Sequence, residues 1–181
     1  MSSIVSLATA DSSFESTIVG ENLEIIGQQG EKNIIEVVGD SPISIVGGAL
    51  DDKIMTDAGD DTVLGADGND MLDGGSGDDV LIGGEGADTI IGGEGADVLI
   101  GGAGKDVFEF AADEFESGMV DQITDFEDGS MDKIIITGVG NASVTYSPDT
   151  GVVSIDGEEA IDIGSGLDVN ENKVDDTWEI F

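Results

Sequence analysis

The feature that most constrains this chain is a repeat of nine residues. Seven copies follow one another over residues 47–109: GGALDDKIM, TDAGDDTVL, GADGNDMLD, GGSGDDVLI, GGEGADTII, GGEGADVLI and GGAGKDVFE. A period of nine residues is too short for a unit built from helices, whereas short strands that alternate with turns fit it. The repeat therefore predicts an all-β solenoid of stacked parallel strands.

Two positions of the nonapeptide are filled in the same way in every copy. Position eight is a large apolar residue, at Ile54, Val63, Leu72, Leu81, Ile90, Leu99 and Phe108. Position six is an aspartate, at Asp52, Asp61, Asp70, Asp79, Asp88, Asp97 and Asp106. Because neighbouring side chains of a strand point to opposite faces, position eight is expected to face a core while its neighbours face outwards.

The first six residues of each copy are predicted to form a turn. Glycine adopts positive φ at little cost, so the backbone can direct several carbonyl oxygens and the aspartate carboxylate toward one point. The glycines of the four best-kept turns are Gly74, Gly75, Gly77, Gly83, Gly84, Gly86, Gly92, Gly93, Gly95, Gly101, Gly102 and Gly104. Calcium accepts such a set of oxygens in irregular geometry, whereas magnesium needs a smaller octahedron and retains its waters.

Composition limits the partners and the chemistry. The chain has 41 acidic residues against 5 basic ones, a formal net charge of -36, so nucleic acid and anionic membranes are disfavoured and cations are favoured. It contains no histidine and no cysteine, which excludes disulfides, thiolate nucleophiles and imidazole zinc sites. A Ser-His-Asp triad is excluded too, and only a carboxylate dyad stays formally open, so we expect no enzyme.

Three other interpretations of the repeat compete with a cation site. Disorder is disfavoured by the regular apolar spacing, because aligned apolar residues can offset chain entropy by burial. A glycine-rich linker has no reason to keep an aspartate and an apolar residue at fixed steps. A metal-free solenoid, with the aspartates acting only as turn formers, requires seven stacked carboxylates without counter-ions.

The copies resemble the nonapeptides of the repeats-in-toxin (RTX) family, G-G-x-G-x-D-x-U-x, in which U is a large apolar residue. The resemblance implies a right-handed parallel β-roll in which one coil takes two nonapeptides and calcium lies between turns two repeats apart. It pairs Asp52 with Asp70, Asp70 with Asp88, Asp88 with Asp106, Asp61 with Asp79 and Asp79 with Asp97, giving about five ions. The earliest turns depart from the pattern, because Leu50 replaces a glycine at position four, and Thr56 and Asp57 replace the first pair.

The regions on either side of the repeat differ from it. Residues 1–46 contain β-rich runs without the fixed aspartate and are predicted to be degenerate coils or an N-terminal cap. Residues 110–181 are predicted to form a C-terminal cap, with a hairpin turning at residues 148–151 and a segment, 111–117, that is compatible with a short helix. Residues 121–136 resemble the segment that closes the roll in serralysin-type proteases.

Several residues of the predicted C-terminal cap have two interpretations. Asp121, Asp125 and Asp132 are candidates for one further calcium site, and these three and Asp128 equally fit turn or solubility roles. Phe108, Phe110, Phe126 and Tyr146 are expected in the core. Trp178 and Phe181 either pack on that core or belong to an export tail.

The family resemblance also bears on location. The N-terminal residues lack the features of a cleavable secretory signal, and no apolar run is long enough to span a bilayer. RTX proteins leave cells by type I secretion machinery that reads a C-terminal segment, and the residues Glu179-Ile180-Phe181 are similar to such a tail. We therefore expect an extracellular or cell-surface protein that is unfolded at low calcium and folds on binding it.

The biological role is open among three hypotheses at this stage. The first is a secreted structural or surface component, with self-assembly or a surface partner protein. The second is a calcium-dependent carrier or targeting module for an enzyme or adhesin. The third is a virion or surface-layer structural protein.

Overall fold

The structure is a computed structural model that describes residues 3–6, 14–15, 23–27, 30, 32–113, 115, 119–127, 132–140, 142–165, 171–174 and 177–181. Within these residues the strands of the first half are β1 (Ser3–Ser6), β2 (Phe14–Glu15), β3 (Leu23–Ile26), β4 (Ile34–Glu36), β5 (Ile43–Gly48), β6 (Lys53–Met55), β7 (Thr62–Asp67), β8 (Met71–Ser76) and β9 (Val80–Gly86). The later strands are β10 (Thr89–Glu94), β11 (Val98–Gly104), β12 (Val107–Ala111), β13 (Asp121–Ile123), β14 (Lys133–Thr137), β15 (Val144–Ser147), β16 (Val152–Ile155), β17 (Glu158–Asp162), β18 (Glu171–Val174) and β19 (Thr177–Ile180).

Successive strands of the roll alternate between two sheets. Sheet 1 has the order β1-β3-β5-β7-β9-β11-β13-β17-β16-β15, and sheet 2 has the order β18-β19-β14-β12-β10-β8-β6-β4-β2. Each strand from β1 to β12 pairs in parallel with the strand two places later in the chain. One coil therefore takes two nonapeptides, and the predicted parallel β-solenoid is confirmed.

Position eight of each nonapeptide forms the core. Its seven residues are all 0% exposed: Ile54, Val63, Leu72, Leu81, Ile90, Leu99 and Phe108. The register stacks each of them on the residue one coil away, so that Leu81 pairs with Val63 on one side and with Leu99 on the other. Because full burial of such a side chain contributes roughly 1.5–3 kcal/mol, this stack offsets part of the entropy lost on ordering the coils.

The parallel ladder begins before the first nonapeptide. Ile25 of β3 pairs with Ile45 of β5, which in turn pairs with Val63. In sheet 2, Ile35 of β4 pairs with Ile54. Both Ile25 and Ile35 are buried, so the coils that precede the repeat belong to the same stack and share its core.

Antiparallel strands cover the other end of the stack. Strands β15 and β16 form a hairpin, and β16 pairs antiparallel with β17, which joins sheet 1 beside β13. In sheet 2, β19 pairs antiparallel with β14 and brings Trp178 opposite Ile136. Trp178 and Ile180 are buried, so the last strand is part of the core.

The aromatic residues of this end pack against the roll. Phe108 and Phe126 are buried with ring centroids 6.5 Å apart. Phe110 is also buried and stacks on Phe115 at 5.8 Å. Tyr146 is partly buried and packs against the same core.

No helix occurs in the part of the chain that the structure describes, and hence none with the length and apolar character needed to cross a bilayer. Of the segment considered for a short helix, Ala111 ends β12 and residues 112–113 form a turn. Residues 114 and 116–117 of that segment, and Asp128, lie outside the described residues.

Candidate metal centre

The position-six aspartates of the nonapeptides lie in two columns, one on each edge of the roll where the chain turns between the sheets. The first column contains Asp52, Asp70, Asp88 and Asp106, in turns that lead from sheet 1 to sheet 2. The second column contains Asp61, Asp79 and Asp97, in turns that lead back. All seven are only 1–2% exposed, although each is charged at neutral pH when unperturbed.

One carboxylate oxygen of each aspartate is held by the preceding coil. The backbone N–H of Asp70 donates to Oδ1 of Asp88 at 2.8 Å, and that of Asp52 donates to Oδ1 of Asp70 at 2.7 Å. The second column repeats this pattern, because Asp61 donates to Asp79 at 2.7 Å and Asp79 to Asp97 at 2.8 Å. Each step in a column spans eighteen residues, so these bonds fix every carboxylate relative to its neighbour one coil away.

The other carboxylate oxygen is buried and has no hydrogen-bond donor. This holds for Oδ2 of Asp52, Asp70, Asp79, Asp88 and Asp106. A buried polar atom without a partner costs about 1–3 kcal/mol, and more when it is charged. Because the same atom is unsatisfied from coil to coil, the arrangement indicates a place for a positively charged group beside each Oδ2.

The space beside each of these oxygens is kept open by the glycine at position one. A Cβ at Gly65 would collide with Oδ2 of Asp70 and would lie 2.7 Å from the carbonyl oxygen of Gly83. A Cβ at Gly83 would meet Oδ2 of Asp88 and the carbonyl oxygen of Gly101 in the same way. We call this space the cradle: it lies next to the position-one residue, between the carboxylate of the same turn and the position-one carbonyl oxygen one coil later.

The predicted glycines of the turns divide into two kinds by what surrounds them. Gly74, Gly83, Gly92 and Gly101, at position one, lie against the carboxylates. Those at positions two and four have positive φ and lie against the backbone of the same position in the preceding coil: Gly75, Gly77, Gly84, Gly86, Gly93, Gly95, Gly102 and Gly104. A side chain at Gly86, for example, would collide with the carbonyl oxygen of Gly68, so these glycines permit both the curl of each turn and the close stacking of turns.

Burial raises the pKa of carboxyl groups in both columns, those of Asp52, Asp61, Asp70, Asp79, Asp88 and Asp106. The pKa of Asp79 rises to about 7, mainly because burial removes the carboxylate from water and also because Asp97 and Asp61 repel it. Burial likewise raises the pKa of Asp70 to about 6 and that of Asp88 to about 6, with a further contribution from neighbouring carboxylates. A bound cation would reverse this balance, because it favours the charged carboxylate.

Among the described residues, no three aspartate or glutamate side chains converge in a cluster that could hold a metal ion. The columns instead distribute single carboxylates along two edges, each beside backbone carbonyl oxygens. Calcium is suited to such a donor set because it accepts carbonyl and carboxylate oxygens in mixed and irregular arrangements. The residues present therefore fit a hard cation bound mostly by the backbone, with one or two carboxylates at each cradle.

The turn at residues 56–61 differs from the others at position one, where it has Thr56 in place of glycine. The hydroxyl group of Thr56 lies within hydrogen-bonding distance of two backbone carbonyl oxygens of the next coil, that of Gly74 at 2.5 Å and that of Asp73 at 3.3 Å. In this turn a side chain thus occupies the space that glycine leaves open elsewhere, and it donates to the carbonyl oxygen that lines that space.

Both columns extend beyond the nonapeptides. At one end of the first column, the side-chain amide of Asn33 donates to Oδ1 of Asp52 at 3.0 Å; at the other end, Asp106 donates to Oδ1 of Asp132 at 3.1 Å. The second column ends at Ile43, which donates to Oδ1 of Asp61, and at Asp121, which accepts from Asp97. The period of eighteen residues is broken at Asn33, Asp121 and Asp132, which is why the repeat alone did not place them in the columns.

Of the three cap aspartates that were expected to share one site, Asp125 and Asp132 lie on one edge of the roll and Asp121 lies on the other. Asp121 ends the second column and Asp132 ends the first, on the opposite edge of the roll. Asp125 accepts hydrogen bonds from the backbone N–H groups of Gly101 at 3.0 Å and Gly102 at 2.8 Å. It therefore closes the last glycine turn of the first edge, where its charge helps to raise the pKa of the buried Asp106 and Asp132, though less than burial does.

A second, exposed set of side chains joins the turns at position five. Oδ1 of Asp60 accepts from the backbone N–H of Asp78 at 3.1 Å, and Oδ1 of Asp78 accepts from Ala96 at 3.0 Å. Asp51 and Asn69 do the same on the other edge. These side chains are exposed, and they act as turn caps of the kind that aspartate and asparagine commonly form.

Residues 46–81 and 73–108 match the family model of the RTX calcium-binding nonapeptide repeat, in four copies. No curated protein gives a match to the chain. The matched residues contain both columns from Asp52 to Asp106 and every open cradle described above.

Proposed function

This chain carries RTX calcium-binding nonapeptide repeats, which form a calcium-binding β-roll, and we propose that it is a secreted structural or surface protein that folds on binding calcium. The proposed role is non-catalytic. The observation that carries the proposal is the row of buried Oδ2 atoms without donors, at Asp52, Asp70, Asp79, Asp88 and Asp106.

The proposed ligands are the position-six carboxylates together with carbonyl oxygens of the glycine turns on either side of them. The best-formed sites join Asp70 to Asp88, Asp88 to Asp106 and Asp79 to Asp97, because both turns of each pair have glycine at positions one and four. The pairs Asp52–Asp70 and Asp61–Asp79 complete the five sites that the repeat predicts. Asp121, Asp125 and Asp132 are secondary candidates at the end of the roll.

Electrostatics supports folding that depends on calcium. Strands of adjacent coils lie about 4.8 Å apart, and two bare carboxylates at that distance repel by roughly 3 kcal/mol at an effective dielectric constant of 20. Several such pairs exceed the net stability of a typical domain, which is about 5–15 kcal/mol. Bound calcium supplies two positive charges at each cradle, and its binding free energy then becomes folding free energy.

The dependence of folding on calcium also supports secretion. Extracellular calcium modules have dissociation constants of about 10⁻⁴–10⁻³ M, so sites of that affinity are empty in the cytosol and filled outside the cell. A chain of this kind stays unfolded until it leaves, which suits export by type I secretion machinery. The RTX repeat and the net charge of -36, which favours hydration and cation binding over nucleic acid, support this assignment.

The proposal is tested on the full chain by circular dichroism and light scattering during a calcium titration. We expect little β-structure in chelator and a cooperative gain of β-structure in the millimolar range, whereas magnesium at the same concentration has a much smaller effect. A β-rich spectrum that is unchanged by chelator would contradict calcium-dependent folding. Scattering in calcium separates the roles, because large assemblies favour a coat or surface layer and a monomer favours a module that serves another protein.

A further inference from the structure

Thr56 occupies a position that is glycine in every other nonapeptide, at residues 47, 65, 74, 83, 92 and 101. Its side chain is directed into the turn, because the residue is only 8% exposed and its hydroxyl group lies 2.5 Å from the carbonyl oxygen of Gly74. In an open cradle, the corresponding space is bounded by the equivalent carbonyl oxygen, that of the position-one residue one coil later, and by an unpartnered Oδ2. Thr56 therefore fills, with its own atoms, the space that glycine leaves empty elsewhere.

The state of Asp61 agrees with this description. Its Oδ1 accepts a hydrogen bond from the backbone N–H of Ile43 at 3.0 Å, as Oδ1 of the other aspartates in the columns does from the preceding coil. Unlike Asp52, Asp70, Asp79, Asp88 and Asp106, Asp61 has no fully buried carboxylate oxygen that is without a hydrogen-bond partner. The hydroxyl group thus donates to the carbonyl oxygen that a cation would bind in a neighbouring cradle, though it contributes a hydrogen bond rather than a charge.

The backbone of this turn also differs at position two. Ala66, Gly75, Gly84 and Gly93 have φ between 88° and 125° at that position, whereas Asp57 has no positive φ. Its side chain instead accepts a hydrogen bond from the backbone N–H of Gly39 at 3.2 Å, on the preceding coil. The turn at residues 56–61 is therefore held by two side-chain bonds that the later turns lack.

We infer that Thr56 is a built-in substitute for calcium, which closes the cradle of Asp61 and removes one site from the second column. The inference rests on the proposed function and sharpens it, because it assigns the Asp61–Asp79 pair to metal-free closure. Threonine suits this role because its branched Cβ restricts χ1 and keeps the hydroxyl group in place. The consequence is that the roll has one coil, close to its first nonapeptides, whose edge closes without an ion.

The test is the number of calcium ions bound by the full chain, measured by equilibrium dialysis for the wild type, Thr56→Gly and Thr56→Val. Thr56→Gly opens the cradle and is expected to bind one ion more than the wild type. Thr56→Val keeps the bulk and loses the hydroxyl group, so it is expected to bind the wild-type number while its Tm in calcium falls by about 2–4 °C. An equal count for Thr56→Gly and the wild type overturns the inference.

The converse variant is Gly74→Thr, which places the same side chain beside Oδ2 of Asp79 and the carbonyl oxygen of Gly92 on the same edge. It is expected to bind one ion fewer. If either variant does not fold, a crystal structure of the wild type grown in calcium decides the matter: an ion between residues 56–61 and 74–79 contradicts the inference, and ions only in the later cradles support it. A wild-type chain that binds no calcium at all would refute the proposed function itself, which is a different outcome.

Discussion

The backbone N–H of Asp61 donates to Oδ1 of Asp79 at 2.7 Å, while Oδ2 of Asp79 is buried without a donor. One carboxylate thus has two oxygens with different tasks. The first fixes the side chain to the preceding coil by a hydrogen bond that needs no metal, and the second faces the cradle. Once the coil has folded, this hydrogen bond holds the carboxylate toward the cradle, so that the ion alone does not have to immobilise the side chain.

Asp79→Asn separates these two tasks. The amide oxygen can still accept from Asp61, but the charge that faces the cradle is lost, so we expect the calcium concentration at the folding midpoint to rise about tenfold, equivalent to roughly 1.4 kcal/mol. Calcium titrations followed by circular dichroism measure this shift. The matched control is Asp78→Asn, which removes the same charge from the adjacent, exposed position five and is expected to change the midpoint less than about twofold. Equal shifts for the two variants would mean that only net charge matters.

The stability of the protein without calcium should depend on pH, in a direction that is set by the raised pKa values of the buried aspartates. Burial raises the pKa of Asp70, Asp79 and Asp88 to about 6, 7 and 6, from an ordinary value of 3.8. Folding therefore takes up protons, and the stability contributed by these groups is fully present below about pH 4 and is lost as the pH rises through 6 to 7. In buffer stripped of divalent ions, we expect the chain to gain β-structure by circular dichroism as the pH is lowered from about 8 to about 4.5.

The same experiment in calcium gives the opposite dependence and serves as its control. Protons and calcium compete for the carboxylates, so the calcium concentration needed for folding should rise as the pH falls. A calcium-free chain that is equally unfolded at both pH values would show that the buried carboxylates are not what prevents folding.

Much of this fold follows from the nonapeptide alone. An aspartate two residues before a large apolar residue places the apolar side chain inward and the carboxylate at the start of the strand, as at Asp79 and Leu81. The pairing of turns two repeats apart follows once each coil takes two nonapeptides. The stacking of carboxylates within hydrogen-bonding reach of the next turn then follows from the spacing of strands in a sheet.

The ends of the columns could not be found from the period. Asn33 lies nineteen residues before Asp52, and Asp132 lies twenty-six residues after Asp106, so turns of different length interrupt the repeat. Strand register restores the stacking in spite of these insertions, because the buried Ile35 and Ile134 pair with Ile54 and Phe108. At both ends the sequence still shows a local pattern, in which a polar residue stands two positions before a buried isoleucine. Sequence spacing does not report the bond between Thr56 and Gly74, because it arises between coils.

Truncating a position-eight side chain, which lies in the core, is expected to cost much of the stability of the protein. Leu81 is 0% exposed and lies between Val63 and Leu99, so Leu81→Ala is expected to destabilise the calcium-bound protein by about 2–5 kcal/mol. Leu50→Ala is the matched control, because Leu50 is 46% exposed in the first turn and should lose less than about 0.5 kcal/mol. Urea unfolding in saturating calcium measures both, and similar losses for the two leucines would contradict the assignment of position eight to the core.

The last strand offers a test of whether the C-terminal residues belong to the folded structure. Trp178 is 3% exposed and pairs with Ile136, whereas the neighbouring Glu179 forms a partly exposed ion pair with Lys133 at 2.8 Å. Trp178→Ala is therefore expected to cost about 3–5 kcal/mol in calcium, because it leaves a cavity under β19. Glu179→Gln removes only a surface ion pair and is expected to cost at most about 1 kcal/mol. Urea unfolding of both variants in calcium provides the comparison. A Trp178→Ala protein as stable as the wild type would show that β19 is not packed on the roll, and would leave these residues free to act only as a recognition tail.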